Sequence, residues 1–561
     1  MGQAAITMSA ATRRYIIYWL EFAKQNQSDP ATLGNEFEQI SRVWEKLFSE
    51  STPLSAQERE AAILNLMLFM DSFLERRGLL QENIDWITRA LQSAKELNLP
   101  VYIGRLGQDL GWCYREQGNL DKALEYLELA LAVRQKYGPK EGEANTLNMI
   151  GVVYDGKEEY TLAIQSFEKA LNLWIETGNK EREAITRSNL ASVYANMGEW
   201  AHADEQYQAS LALTHGLDDE FADAGTLNNM GEAALFRGDL QQADDYFSRA
   251  LHLFEQSGDK VHVTTALNNI ALVRQQQGRV QDAIALMEQA LAQQRDLRLD
   301  KDAATTLNNL GTTYEGMGLF SKAFEYFSQA LNTHRTYQRD RDVAVTLINM
   351  GGVLQQMGDW QKALELYTEA REILEGVGAH SPLATLYNNL ATVHHHRGEY
   401  PEAREYLQKA LVIHQKHDNR EGQANTLNNM AVLHHETEPR AAREYMLQAL
   451  KISREIQDRN GEATHLHNLG AISSELDELE QAIGYYTAAL VIRREIQDHA
   501  GLNGTLYNLA VIWSELGDYK QALQLLDEAV ALSQKYQYPT LERDMDALQA
   551  CMSILQKKGP S

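Results

Sequence analysis

Cysteine is almost missing from this chain: its 561 residues include two, Cys113 and Cys551, 438 positions apart. That excludes a disulfide framework and any thiolate metal or redox motif, and it suits a reducing compartment. Proline is nearly as scarce, with 9 residues, so few helices are interrupted. Basic residues are outnumbered 78 to 52, and the net charge of −26 excludes nucleic acid or an anionic membrane as the main partner. No apolar run reaches transmembrane length. Arg13-Arg14 precede only Tyr15 to Leu20, too short for a secretory core, and Ile6 stands where myristoylation needs Ser or Thr, so a cytoplasmic location is expected. The patterns G-x-x-x-x-G-K-[ST], G-x-S-x-G and H-E-x-x-H do not occur, and no nucleophile, base and orienter stand together. The expectation is a chain that is not an enzyme and carries no cofactor.

What the chain has instead is repetition. An alanine recurs at Ala123, Ala163, Ala203, Ala243, Ala283, Ala323, Ala363, Ala403, Ala442, Ala482 and Ala522, in steps of forty with one of thirty-nine at Ala442. A second small residue follows seven positions later in every copy, as Ala130, Ala170, Ser210 and so on to Ala529. A fixed period of this size denotes a solenoid, propeller or array, which lengthens by stacking units. Function then belongs to a repeated surface.

Helical spacing covers residues 12 to 26, 33 to 50, 57 to 77 and 81 to 98, broken by Pro30, Pro53 and Gly78. Gly78 lies forty before Gly118, and Ala90-Leu91 forty before Ala130-Leu131. The pattern predicts an N-terminal helical cap (1–56), a degenerate first repeat (57–98), eleven repeats of forty residues (99–536) and a C-terminal capping helix (537–561), made polar by Glu542, Arg543, Asp544 and Asp546. Each repeat reads as two helices about a tight turn, marked by Gly118, Gly198, Gly238, Gly278, Gly318, Gly358, Gly398 and Gly517, and by Glu158, Glu438 and Asp477 in the other three. Between repeats, Thr177-Gly178-Asn179-Lys180 and Ser257-Gly258-Asp259-Lys260 stop one helix and cap the next.

The period alone admits HEAT-like helices or WD-type blades. Leu110-Gly111 with Tyr114, Leu190-Ala191 with Tyr194, and Leu310-Gly311 with Tyr314 resemble the first-helix signature of the tetratricopeptide repeat; Ala163 with Phe167, Ala243 with Phe247, and Ala323 with Phe327 resemble its second. The unit is six residues longer than usual and lacks the closing proline. It is similar to the long-helix arrays of the LGN and Pins polarity adaptors, kinesin light chains and the sensor arrays of bacterial STAND and CHAT-domain proteins. The resemblance implies an all-α, right-handed superhelical solenoid of antiparallel helix pairs whose first helices line a concave groove.

On a helical wheel of about 100° per residue, Leu227, Met230, Gly231 and Ala234 form the buried stripe, leaving Asn228, Asn229, Glu232, Leu235 and Phe236 toward the groove. One of these columns is asparagine in nine successive copies: Asn189, Asn229, Asn269, Asn309, Asn349, Asn389, Asn429, Asn468 and Asn508. Five copies add Asn228, Asn268, Asn308, Asn388 and Asn428. Asparagine is a middling helix former, so propensity does not explain the columns. Its amide both donates and accepts, which matches the main chain of an extended ligand. Two roles stand open: holding a peptide in the groove, or bonding the adjacent first helix and setting the stack's register. Across the groove columns Arg115 is the one basic residue, against Asp109, Glu116, Asp155, Glu232, Glu315, Glu436, Glu475 and Glu515.

His394-His395-His396 and His434-His435 invite a metal, but no carboxylate or thiol stands at ligand spacing beside them in sequence, and they read as core and groove histidines. The chain is therefore expected to be a non-enzymatic scaffold. Its partner would be a protein or extended peptide, neutral or basic with apolar anchors, selected by Trp112, Leu235, Phe236, Leu272 and Tyr507. The alternative is a regulatory sensor or adaptor controlling a nuclease, protease or transcription factor supplied by another chain.

Overall fold

A computed structural model describes residues 2–27, 29–49, 54–76, 79–215, 220–417, 419–435, 438–536, 538 and 540–558. Among the described residues stand twenty-eight helices and no strand. Five come first, at Gly2–Gln25, Pro30–Asn35, Phe37–Leu47, Ala56–Arg76 and Leu80–Glu96. The stretch expected as one helix from 33 to 50 is split at Glu36, directly after Gly34 and Asn35, two poor helix formers. Eleven helix pairs follow: repeat 1 (100–137), 2 (140–177), 3 (180–215), 4 (220–257), 5 (260–296), 6 (300–336), 7 (340–377), 8 (380–416), 9 (420–455), 10 (459–495) and 11 (499–536). A last helix spans Leu541–Lys558. Gly78, Pro53 and Glu436 lie outside the described residues. The chain divides into two compact units, residues 1–380 and 381–561.

The two small-residue columns explain the pairing. Each of the eleven marker alanines is at most 1% exposed, and so is the small residue seven positions later. Small side chains there let the second helix lie close against the first. The facing column on the first helix is matched in size. Gly151, Gly231, Gly311, Gly351 and Gly470 each face an aromatic ring, of Phe167, Phe247, Phe327, Tyr367 and Tyr486 respectively. A Cβ on Gly311 would stand 2.6 Å from the Phe327 ring. Where this column holds Ala271, Ala391, Ala431 or Ala510, the equivalent partner is Met287, Leu407, Met446 or Leu526. Ala191 with Tyr207 and Gly111 with Leu127 depart from that rule.

The turns within repeats are left-handed at one residue, a glycine in eight copies. Glu158 and Asp477 take the same conformation, with φ of 62° and 61°, at a steric cost glycine does not bear. Glu438 does not: it precedes the helix of Pro439 at φ −139°, and positions 436 and 437 of this turn lie outside the described residues. Links between repeats are also left-handed, at Gly178, Gly258 and Gly378 but equally at Arg298, Gln338, Gln457 and Gln497. The following helix is capped by Asn179, Asp259, Asn419, Asp458 or Asp498, whose side chain accepts from a first-turn N–H.

Within each unit, successive first helices approach one another, and among the described residues successive second helices make no comparable approach. The first helices therefore take the inner side of the curve. No helix among the described residues is long and apolar enough to cross a membrane.

Candidate binding groove

The asparagine columns lie on that inner face. Every member is half-buried except Asn268, which is buried. The structure joins them across repeats. Asn189 donates to Asn148 Oδ1 at 3.2 Å, Asn269 to Asn228 Oδ1 at 3.0 Å, Asn429 to Asn388 Oδ1 at 3.2 Å and Asn468 to Asn428 Oδ1 at 2.8 Å. Where the inner position is not asparagine another acceptor serves: Asn229 donates to Ser188 Oγ at 3.1 Å, and Asn508 meets His467 Nε2 at 3.3 Å. Inner asparagines also reach forward, Asn268 to Thr306 Oγ1 at 2.7 Å and Asn388 to Thr426 Oγ1 at 3.1 Å. Asn309, Asn349 and Asn389 hold the same half-buried position, and the Oδ1 atoms of Asn268 and Asn308 are buried without a hydrogen-bond partner. The doublet is thus a clip between neighbouring first helices, which uses one N–H of the outer amide; Asn269 gives its second to Glu232. A primary amide has a second N–H and an oxygen besides.

The carboxylates of unit 1 form a second row beside the clips. Asn196 donates to Asp155 at 3.1 Å, Asn228 and Asn269 to Glu232 at 2.8 and 3.2 Å, and Gln356 to Glu315 at 2.8 Å. Among the described residues none of these three carboxylates has a cationic partner. Burial pushes all three above the ordinary carboxylate range, and the amide bonds to Asp155 and Glu232 offset only part of that. The sequence shows the acids and the asparagines that meet Glu232, but not that Asn196 and Gln356, one repeat further on in the column of Phe236, serve Asp155 and Glu315.

The apolar candidates divide. Phe236 is 60% exposed beside Trp200, with ring centroids 6.0 Å apart, whereas Leu235 packs against the core around Ala234 and Phe247. Trp112 is half-buried against the core of the first helices, and Leu272 is half-buried on its helix. Tyr507 is covered: the Arg543 guanidinium of the last helix lies 3.8 Å from its ring centroid. That helix is not polar all round either. Asp544 turns inward, 0% exposed, accepting from Ser533 at 2.7 Å and Asn503 at 2.9 Å, while Met545, Met552 and Leu555 face outward. Burial satisfied by three donors, Arg543 included, overrides the expectation that an acid stays in water.

Carboxylates do stand beside the histidines, Glu399 and Glu438 from five and four residues along the chain and Glu475 from the next repeat. His394 Nδ1 lies 2.6 Å from Glu399, His434 Nδ1 3.6 Å from Glu438, and His435 Nε2 3.1 Å from Glu475. Among the described residues no three metal-ligating side chains converge.

A family model described as tetratricopeptide repeat matches residues 101–176, 142–215, 222–296, 262–336, 382–455 and 461–535, and a second of the same description matches 346–376. No curated protein matches the chain. Solved structures similar to it include BtubC (BKLC) from P. vanneervenii, at 22% identity over 39% of this chain and 92% of that one, with a TM-score of 0.33. A chain of the APC/C hetero-tetramer Cut9-Hcn1 is 16% identical over 97% and 98%, with a TM-score of 0.42. A Rap protein complexed with competence and sporulation factor is 14% identical over 66% and 99%, with a TM-score of 0.44. With helix pairs, small-residue columns and a family model over well more than half its length, this chain belongs to the tetratricopeptide repeat family.

Proposed function

We propose that this chain is a non-catalytic scaffold that holds an extended, neutral or basic polypeptide segment along its inner face. One observation carries the reading. Asp155, Glu232 and Glu315 line that face, the first and last half-buried and Glu232 open to solvent, and amides alone hold them. A lysine or arginine from a ligand supplies the missing counter-charge, which is worth more beside the half-buried Asp155 and Glu315 than in open water. The asparagine columns fit the ligand's main chain with the N–H and oxygen that the inter-repeat clips leave over. Exposed Phe236 and half-buried Leu272 and Trp112 offer apolar contacts between the polar rungs.

The test is to select peptides from a random display library on the full chain and measure the enriched sequences by calorimetry. Neutral or basic peptides with apolar anchors are expected. Their affinity should fall about tenfold with Glu315→Lys, and fall with added salt. Asn269→Ala, Asn309→Ala and Asn349→Ala together should weaken them further. Enrichment of strongly acidic peptides, or binding that improves on Glu315→Lys, would show that this face is not the one used.

A further inference from the structure

In a solenoid each repeat touches its neighbours and little else. Unit 1 breaks that rule. The turn of repeat 1, from Gly118 to Asp121, meets the start of the first helix in repeat 7 and the end of that repeat. A Cβ on Gly118 would stand 3.2 Å from Arg341 Cβ and 3.7 Å from its backbone nitrogen. A Cβ on Gly378 would stand 3.3 Å from Asp121 Oδ2, whose carboxylate also holds Lys157 at 2.7 Å. Asp302 is raised above its usual range first by burial; Arg339, Lys301 and His262 oppose the shift, and the charge of Glu116 adds to it across the same junction.

Gly118 stands apart from its equivalents. At Gly198, Gly238, Gly278, Gly318, Gly358, Gly398 and Gly517, which share its left-handed turn, an added Cβ would meet nothing within 4 Å. The turn conformation explains all eight glycines. Only at position 118 does the missing side chain also admit another part of the protein.

We propose that this junction is a clasp. It closes unit 1 into a ring around the first-helix face, and a folded or long partner reaches Asp155, Glu232 and Glu315 only when Gly118 and Arg341 separate. That the partner is a polypeptide rests on the function proposed above, whereas the closure does not. A clasp of this kind makes binding report on ring opening, which is how a scaffold becomes a sensor.

The experiment uses the full chain, whose own Cys113 and Cys551 are buried. With Gln117→Cys and Arg341→Cys together, a short bismaleimide at high dilution is expected to join the two within one chain as completely as it joins Gln277→Cys with Met317→Cys at neighbouring turns. Joining of the neighbouring pair alone would overturn the clasp. Gating is read separately, on an exposed inner-face position, with Thr312→Cys as the target. Gly118→Asn keeps a residue that tolerates the left-handed turn but wedges the junction; Gly198→Asn makes the same change where there is room. Polyethylene-glycol maleimide should react about tenfold faster in the Gly118→Asn chain, as for a ring otherwise open in about a tenth of molecules. N-ethylmaleimide should react equally in both, which shows that neither variant has unfolded. Equal rates with the bulky reagent would overturn gating. No peptide enters either measurement, so failure of the peptide reading and failure of the clasp are told apart.

Discussion

At the scale of single residues, the chain keeps its helices together by matching sizes across one contact. Phe327 fills the space that Gly311 leaves, and a Cβ at 2.6 Å from the ring cannot be accommodated without a shift. Gly311→Ala is expected to destabilise the protein by about 1–3 kcal/mol, as overpacked cores do. Adding Phe327→Met should recover most of the loss, because repeat 5 carries Ala271 and Met287 at these positions. Chemical denaturation of the single and double variants checks both statements; an unchanged midpoint for Gly311→Ala would mean the ring moves freely. The same matching governs the first turn of four repeats. Gly142, Gly422, Gly461 and Gly501 sit in ordinary helix, and what they provide is room: Arg134, His414, Ser453 and Arg493, eight residues earlier, lie against them. Arg134 uses that space to donate to Gly142 O at 2.6 Å and Thr146 Oγ1 at 2.9 Å. The spacing of eight is visible in the sequence, yet without knowing that it spans a repeat boundary it reads as four stray glycines.

At the scale of helices and turns, backbone conformation is set by the stack more firmly than by the residue. Gln338 and Gln497 adopt left-handed φ of 51° and 58° where Gly178 and Gly258 stand in other copies. The helices on either side are held by their own cores, and the link must close the same gap whatever occupies it. Such a residue carries roughly 1 kcal/mol of strain, partly balanced by the greater chain entropy glycine loses on folding. Glu158→Gly should therefore raise stability by up to about 1 kcal/mol. The reverse change, Gly318→Glu, should lower it by a similar amount; a fall in melting temperature for both variants would place the cost elsewhere than in φ. The asparagine doublets belong to this scale too. Their repetition is legible in the sequence and is compatible with both candidate roles. Which atoms bond across the boundary is not legible there, since the partner lies a full repeat away.

At the scale of the whole molecule, the two units differ in their balance of titrating groups, although Glu421 is a carboxylate raised by burial in the second. In residues 381–561, burial holds His414 and His467 down at about 4, and it lowers His465 as well. These side chains fold neutral and gain a proton on unfolding between about pH 6.5 and 4, so the unfolded state binds more protons there and stability falls as pH falls through that window. His414 and His467 are each worth roughly 1–3 kcal/mol at neutral pH relative to acid. In residues 1–380 His334 behaves likewise, but the raised carboxylates Asp155, Glu232 and Glu315 act the other way, since they bind protons more readily folded than unfolded. Residues 381–561 should thus lose protection first on acidification from pH 7 to 5. Hydrogen exchange followed by mass spectrometry, corrected for intrinsic rates, reads this directly; equal loss in both units would mean that the histidines are not buried neutral in solution.

Sequence alone determined the class of fold, the pairing of its helices and the small-residue columns. These follow from patterns with a period of one helix turn or one repeat, and such patterns survive in any local stretch. Tertiary structure decided what those residues touch. Asp544 is buried because the last helix lays it between Ser533 and Asn503. Tyr507 is covered because Arg543 comes with it. The junction of Gly118 with Arg341 depends on the small rotation between neighbouring repeats, summed from repeat 1 to repeat 7. No single repeat encodes that sum, which is why the contact becomes visible only when the units are stacked.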